Sequence, residues 1–276
     1  MAATASSPAT RVPASMPQAS KPTTTGMTTR TRTRTRTGTG TGTTTSTSTS
    51  TPTAIEPLAL LRLLHLVSPA LPVGAYAYSQ GLEYAVHAGW VRDEASTFEW
   101  LQGVLRFGLG TLDLPILQRL HAAWSSGDTL AVQRWNDELI AARESAELRA
   151  EERHLGSALA RVLVELGIGE AADWPPRDAT FATLFSLAAV RWRLAVAATL
   201  SGYAWAWSEN QVLAAVKLVP LGQSAGQRLL HRLTDLLPPV IARALELPDH
   251  AVGNSTFSQV LAAALHELQY SRLFRS

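Results

Sequence analysis

The chain has 276 residues, 24 of them Lys or Arg against 22 Asp or Glu, and 46% of it is hydrophobic, enough for one large domain or two small ones. It contains no cysteine, which excludes disulfides and thiolate metal sites and fits a reducing compartment. Residues 1–54 hold no acid and carry Arg11, Lys21, Arg30, Arg32, Arg34 and Arg36; removing those six leaves 18 basic against 22 acidic residues, so 55–276 has a formal charge of −4.

That first segment is almost entirely Thr, Ser, Ala, Gly and Pro, with an Arg–Thr alternation from Arg30 to Arg36. It cannot bury enough apolar surface to offset the entropy of ordering, so it is expected to be a disordered low-complexity extension. It has no Leu or Phe and so no amphipathic targeting helix. Its arginines would attract nucleic acid only non-specifically.

Leu58 to Val67 reads as a first helix. Ser68 to Val91 (SPALPVGAYAYSQGLEYAVHAGWV) departs from helix-bundle sequence. Pro69 and Pro72 disfavour helix before them, and Gly74 permits positive φ. Tyr76 and Tyr78 share a side only if the backbone between them is extended. Ser79 is placed to cap a helix containing Glu83 and continuing through Leu82, Val86 and Trp90. Such a loop is either a binding surface or a structural corner.

Further along, Ser96 and Glu99 spell a capping box before the stripe Phe98, Leu101, Val104, Leu105, Leu109 and Leu112. Asp128 precedes Val132, Trp135, Leu139 and Ala142. The charge run Arg143 to Arg153 is read as a solvated helical face, with a polar partner surface as the sharper alternative. A stripe from Leu148 to Leu166 closes at Gly167 and Gly169. Asp178 is placed to start a helix at Phe181. The apolar window Phe181–Trp207 is broken by Arg191 and Arg193 and reads as a buried helix, not a membrane span. Leu229 to Leu237 ends at Pro238 and Pro239, and Phe257 to Leu268 forms the last helix. Strand signals and repeats are absent. The expected fold is all-α: a single compact helical-bundle domain over 55–276 after a disordered tail over 1–54.

Candidate chemistry is sparse. Gly222-Gln223-Ser224-Ala225-Gly226 matches the G-x-S-x-G elbow of serine hydrolases, with Val216–Leu221 as its strand. Pro220 suits only an edge strand, no sheet precedes it, and too little chain follows Ser224 for the acid and histidine. A loop between helices is favoured, with the hydrolase as the rival. His65, His87, His121, His154, His231, His250 and His266 are scattered without ligand spacing, so no metal site is expected. No Walker or dinucleotide motif occurs. At the C-terminus, QYSRLFRS over 269–276 combines Tyr270, Leu273 and Phe274 with Arg272 and Arg275. Ordering those residues costs more than burying three side chains returns, so the segment is expected to order on a partner.

Three segments carry a resemblance: SPALPVGAYAYSQGLEYAVHAGWV, NQVLAAVKLVPLGQSAGQRLL from Asn210 to Leu230, and the terminal QYSRLFRS, with ESAELR over 144–149 beside them. Together they resemble the UreF family of urease accessory proteins, from about residue 58 to the end. The resemblance implies an all-α, dimer-forming protein without catalytic chemistry and without a cofactor bound directly. It would join UreD (UreH in some organisms), recruit the GTPase UreG, and serve nickel delivery to apo-urease in the cytoplasm. By the same resemblance, Pro72, Gly74, Tyr76, Tyr78, Ser79, Gln80 and Glu83 form an assembly surface. Lys217, Gly222 and Gln223 form a polar element near the GTPase. Tyr270, Arg272, Leu273, Phe274 and Arg275 dock on UreD. Ala75 and Ala77 stand where the family often has larger or hydroxylated residues, and the Arg–Thr tail has no counterpart.

Overall fold

A computed structural model describes residues 56–174 and 179–276. The expected disorder of 1–54 and the helix start at Asp178 lie outside the described residues. Within them every regular element is helical and no strand occurs, as the Ala- and Leu-rich composition leads one to expect. Eleven α-helices run in order: α1 Pro57–Leu66, α2 Leu82–His87, α3 Glu94–Val104, α4 Asp113–Ser126, α5 Thr129–Ala142, α6 Ala146–Glu165, α7 Phe181–Arg191, α8 Val196–Leu218, α9 Gln223–Thr234, α10 Leu237–Glu246 and α11 Phe257–His266.

The core is built around α4 and α7. Leu114, Ile116, Leu117 and Leu120 of α4 are fully buried, as are Leu184, Phe185 and Leu187 of α7. Helix α4 packs on α5, α7, α8 and α10, and a helix apolar on most sides belongs at such a centre. The small residues Ala182, Ala188 and Ala189 let neighbours approach α7 closely. Gly156 of α6 is obligatory for the same reason: a Cβ there would lie 2.1 Å from the Ala179 carbonyl oxygen. On α1, Ala59, Leu63 and Leu66 face the core, while Leu58, Leu60, Leu61 and Leu64 point outward.

Several boundaries differ from the sequence expectation. The box that opens α3 is Asp93 with Ser96, three residues earlier than Ser96 with Glu99: Ser96 N donates to Asp93 Oδ1 at 2.8 Å, and Asp93 N donates to Ser96 Oγ at 3.1 Å. The Leu101–Leu112 stripe passes through a π-turn at Leu105–Leu109, closed by Gly110 N to Leu105 O, which keeps Leu105, Leu109 and Leu112 all inward. The apolar window after Phe181 is two helices. Arg193 adopts a left-handed φ of 58°, and Leu194 N returns to Ala189 O, so α7 ends in a Schellman-type cap made without glycine. Pro238 and Pro239 do not end a helix; they sit in the first turn of α10, where a missing N–H costs nothing.

Candidate functional site

The three segments singled out in the sequence meet in one place. After α1 the chain turns through Pro69 and Pro72, passes Gly74 at φ +81°, and makes a 3₁₀ turn over Ala75–Ala77. That turn separates the two tyrosines: Tyr76 is 65% exposed, whereas Tyr78 is 3% exposed. They therefore do not share a face. The phenol of Tyr78 lies 3.0 Å from His154 Nδ1, and burial pushes its pKa up. The residue that begins α2 is Gly81, not Ser79; at φ +85° it also allows α11 to approach, since a Cβ there would lie 2.9 Å from Ala263 N. Ser79 instead supports the turn from within, accepting Glu83 N on its hydroxyl at 3.3 Å.

Residues 267–276 form a strap laid across this loop. Glu83, buried on α2, is its fastening: Oε1 accepts Leu273 N at 2.7 Å and Oε2 accepts Phe274 N at 2.8 Å. Arg275 N donates to Ala77 O at 2.8 Å, and Ser79 N donates to Ser276 O at 2.8 Å, with the Ser79 hydroxyl reinforcing it. The Ser276 hydroxyl donates to Glu151 Oε2 at 2.9 Å, and Gln80 Nε2 donates to Glu151 Oε1 at 2.8 Å. Gln80 is held in turn by Trp207 Nε1 at 2.8 Å, and Asn210 Nδ2 reaches Tyr78 O at 3.3 Å, both from α8. Phe274 is buried in a small cluster with Leu82, Ala85, Val91, Ala214, Ala215, Val219 and Ala262. Lys217 Nζ sits 5.7 Å from the centre of the Phe274 ring. The strap thus fastens to its own chain through main-chain amides aimed at a carboxylate, a term absent from the balance of entropy against side-chain burial. Its outer side is left apolar: Leu268, Tyr270 and Leu273 are exposed, Tyr270 at 105%.

His266, fully buried at the end of α11, was not singled out by sequence. Its Nδ1 faces Glu147 Oε2 at 2.7 Å and its Nε2 faces Glu83 Oε2 at 3.2 Å. Arg272 Nη1 closes the group on Glu147 Oε1 at 2.5 Å. The only sequence signal was register: His266 lies one turn from Ala262 on the buried face of α11.

The charge run at 143–153 proves to be mostly inward. Arg143 pairs with Asp113 and, at 2.5 Å, with Glu152; both carboxylates are buried. Burial works against the Arg143 charge, but Asp113 and Glu152 hold its pKa well above the ordinary value. Burial raises Glu152, and it pushes Glu151 up to about 7 against the hydrogen bond from Gln80. Tyr203 is raised well above its usual range by burial and by Glu152. Tyr76, Gln80, Asp113, Arg143, Glu151 and Tyr203 line a cavity of about 140 Å³ between loop and charge cluster.

Lys217 meets the strap, but Gly222 and Gln223 do not; both are exposed at the start of α9. The hydrolase elbow is overturned by the same segment. Helix α8 runs to Leu218, so no strand precedes Gly222, and Ser224 is exposed in the first turn of α9. Among the described residues no group of three or more His, Cys, Asp or Glu could hold a metal ion, and no helix is long and apolar enough to cross a membrane.

Comparison with known proteins places the chain in a family. The family model described as UreF matches residues 91–234. The urease accessory protein UreF of Alkalilimnicola ehrlichii is 51% identical over 220 residues, covering 79% of this chain and 96% of the relative. That of Hahella chejuensis is 46% identical over 222 residues, covering 80% and 100%, and that of Teredinibacter turnerae is 50% identical over 218 residues, covering 79% and 98%.

Proposed function

This chain belongs to the UreF family of urease accessory proteins, non-catalytic factors of urease maturation, and from that premise we propose that it is a scaffold for nickel insertion into apo-urease. It binds no cofactor itself; nickel is cargo of the assembly. The strap and the loop beneath it are the docking face for UreD (UreH). Lys217, Gly222 and Gln223 lie toward the GTPase UreG. The scaffold works in the cytoplasm as a homodimer, and the outward leucines of α1, Leu58, Leu60, Leu61 and Leu64, supply a face for the second copy.

One observation carries the UreD assignment. Glu83 holds the Leu273 and Phe274 amides, so the strap presents Tyr270 and Leu273 outward from a fixed backbone. Apolar side chains displayed on a pre-ordered segment bind without a further ordering cost. Towards the GTPase, the lever of such a scaffold is differential affinity for its nucleotide states. The test is co-purification of the full chain with its cognate UreD, with and without residues 269–276. Binding by the full chain and loss on truncation is the expected result. Equal binding by both removes the strap assignment, and binding by neither removes the scaffold reading.

A further inference from the structure

The cavity between the tyrosine loop and the charge cluster has two kinds of lining. Leu66, Leu71, Leu109 and Leu112, all buried, contribute an apolar part, and Asp113, Arg143, Glu151 and Glu152 a charged part. Exposed residues, among them Tyr76, Glu144 and Asn254, also border it, so it is reached from solvent. Its volume of about 140 Å³ is close to the roughly 150 Å³ that holds a benzene-sized molecule in other proteins.

Its charges do not balance. Arg143 is committed to Asp113 and Glu152, and Glu151 has no ion pair among the described residues. Three carboxylates against one guanidinium leave a formal charge of −2. Glu151 accepts from neutral donors, Gln80 Nε2 at 2.8 Å and the Ser276 hydroxyl at 2.9 Å. Both bonds favour the charged form, yet neither supplies positive charge. A buried carboxylate so placed is completed by a cation.

An independent observation points to a ligand at the same end. Tyr203 of α8 is 7% exposed and borders the cavity. Its ring packs on Phe181 and Phe185, with centroids at 5.9 and 5.2 Å. Its hydroxyl makes no hydrogen bond with any described residue. Burial, then Glu152 and Asp113, push its pKa up, so the hydroxyl lies toward the charged part. A buried phenol left without a partner costs free energy that a ligand with N–H groups recovers.

The donor set says which cation. Asp113 is held through both oxygens by Arg143, and Glu152 accepts from Arg143 and from the Phe181 amide. Oxygens engaged in this way keep lone pairs that suit further N–H donors, whereas a metal ion would have to displace existing bonds. Among the described residues no group of three or more His, Cys, Asp or Glu is placed to hold one. The leucines suit an alkyl body.

We propose that this cavity is a binding site for a small primary ammonium compound, its charged nitrogen donating to Glu151 and to the Tyr203 hydroxyl and its alkyl part lying against Leu66, Leu71, Leu109 and Leu112. The site belongs to this chain alone, and its occupancy does not depend on which partner meets the strap.

Calorimetric titration of the full chain with n-butylammonium chloride tests it, with n-butanol, butyrate and Mg²⁺ as controls. One equivalent should bind with a Kd of about 0.1–1 mM, in keeping with a ligand of about five heavy atoms. n-Butanol should bind at least about tenfold more weakly, and butyrate and Mg²⁺ should neither bind there nor compete. Glu151→Gln should weaken binding by about tenfold or more, and Tyr203→Phe, which keeps the ring, by about threefold to tenfold. Absence of binding at about 10 mM overturns the proposal, as does equal binding of n-butanol, displacement by Mg²⁺, or an affinity unchanged in either variant. Should a variant not fold, nuclear Overhauser contacts in the unaltered chain replace it. Contacts from the butyl protons to the Tyr203 ring and the Leu112 methyls support the proposal, and contacts elsewhere overturn it.

Discussion

The centre of the molecule and its C-terminal strap are held by opposite means. Around α4 the contacts are mostly apolar, with Leu114, Ile116, Leu117 and Leu120 packed among other buried hydrophobic side chains. The strap buries one large side chain, Phe274, makes main-chain bonds with Ala77 and Ser79, and sends most of its other polar contacts to carboxylates: Glu83, Glu147 and Glu151 receive two of its amides, its hydroxyl, its guanidinium and the His266 ring. Apolar burial is broad and indifferent to pH, whereas a buried carboxylate is strong only while its partners and its own charge are right.

The largest effect should come from the centre. Leu117→Ala leaves a cavity in the core and should lower unfolding stability by about 2–5 kcal/mol, read as a shift in the urea midpoint that does not vary with pH. Glu151→Gln should do the reverse. The folded carboxyl titrates at about 7 against an ordinary 4.5, so its burial is free of penalty below 4.5, becomes steadily less favourable as pH rises to 7, and is fully unfavourable above. The amide cannot ionise. The variant should therefore equal the unaltered chain at acid pH and exceed it at pH 8 by a gain on the order of 3 kcal/mol. A constant difference at all pH values would break the contrast between strap and core.

Smaller effects sharpen it. Glu83→Ala strips two strap amides and His266 of a shared acceptor. It should expose the strap to exchange and abolish UreD co-purification while costing about 1–3 kcal/mol of stability. Lys217→Met removes a cation beside Phe274 and should cost about 0.5–1 kcal/mol, measurable as a modest rise in strap exchange. Ser224→Ala, on an exposed first turn, should stay within about 0.5 kcal/mol of the unaltered chain and leave urease activation intact.

What could be read from sequence was what is local in sequence. Asp128 caps α5, and Val132, Trp135 and Leu139 are buried on one stripe; Gly167 follows α6 in the left-handed conformation. These need only neighbours three or four residues away. The end of α7 escaped because its left-handed residue is Arg193, where glycine is the usual signal. The tyrosine loop was marked by its prolines and Gly74, but the opposite fates of Tyr76 and Tyr78 follow from a 3₁₀ turn that composition does not announce. Arg143, Glu151 and Glu152 resembled a solvated face because their periodicity is polar; their burial depends on Asp113 and on Phe181, whose amide donates to Glu152. His266 was out of reach for a simpler reason: its partners lie at positions 147 and 83, on helices that only the fold brings to it.

Helix α8 gives these parts a common mechanical reference. Trp207 and Asn210 grip Gln80 and Tyr78 from one stretch of it, and Lys217 stands beside Phe274 about 15 Å further along. A helix is stiff over that length, so a tilt of α8 carries the loop and the strap together as one lever. The short link from Leu218 to Gly222 joins that lever to the exposed start of α9. Gly222 and Gln223 thus lie only a few residues of chain beyond Lys217 and its contact with the Phe274 ring.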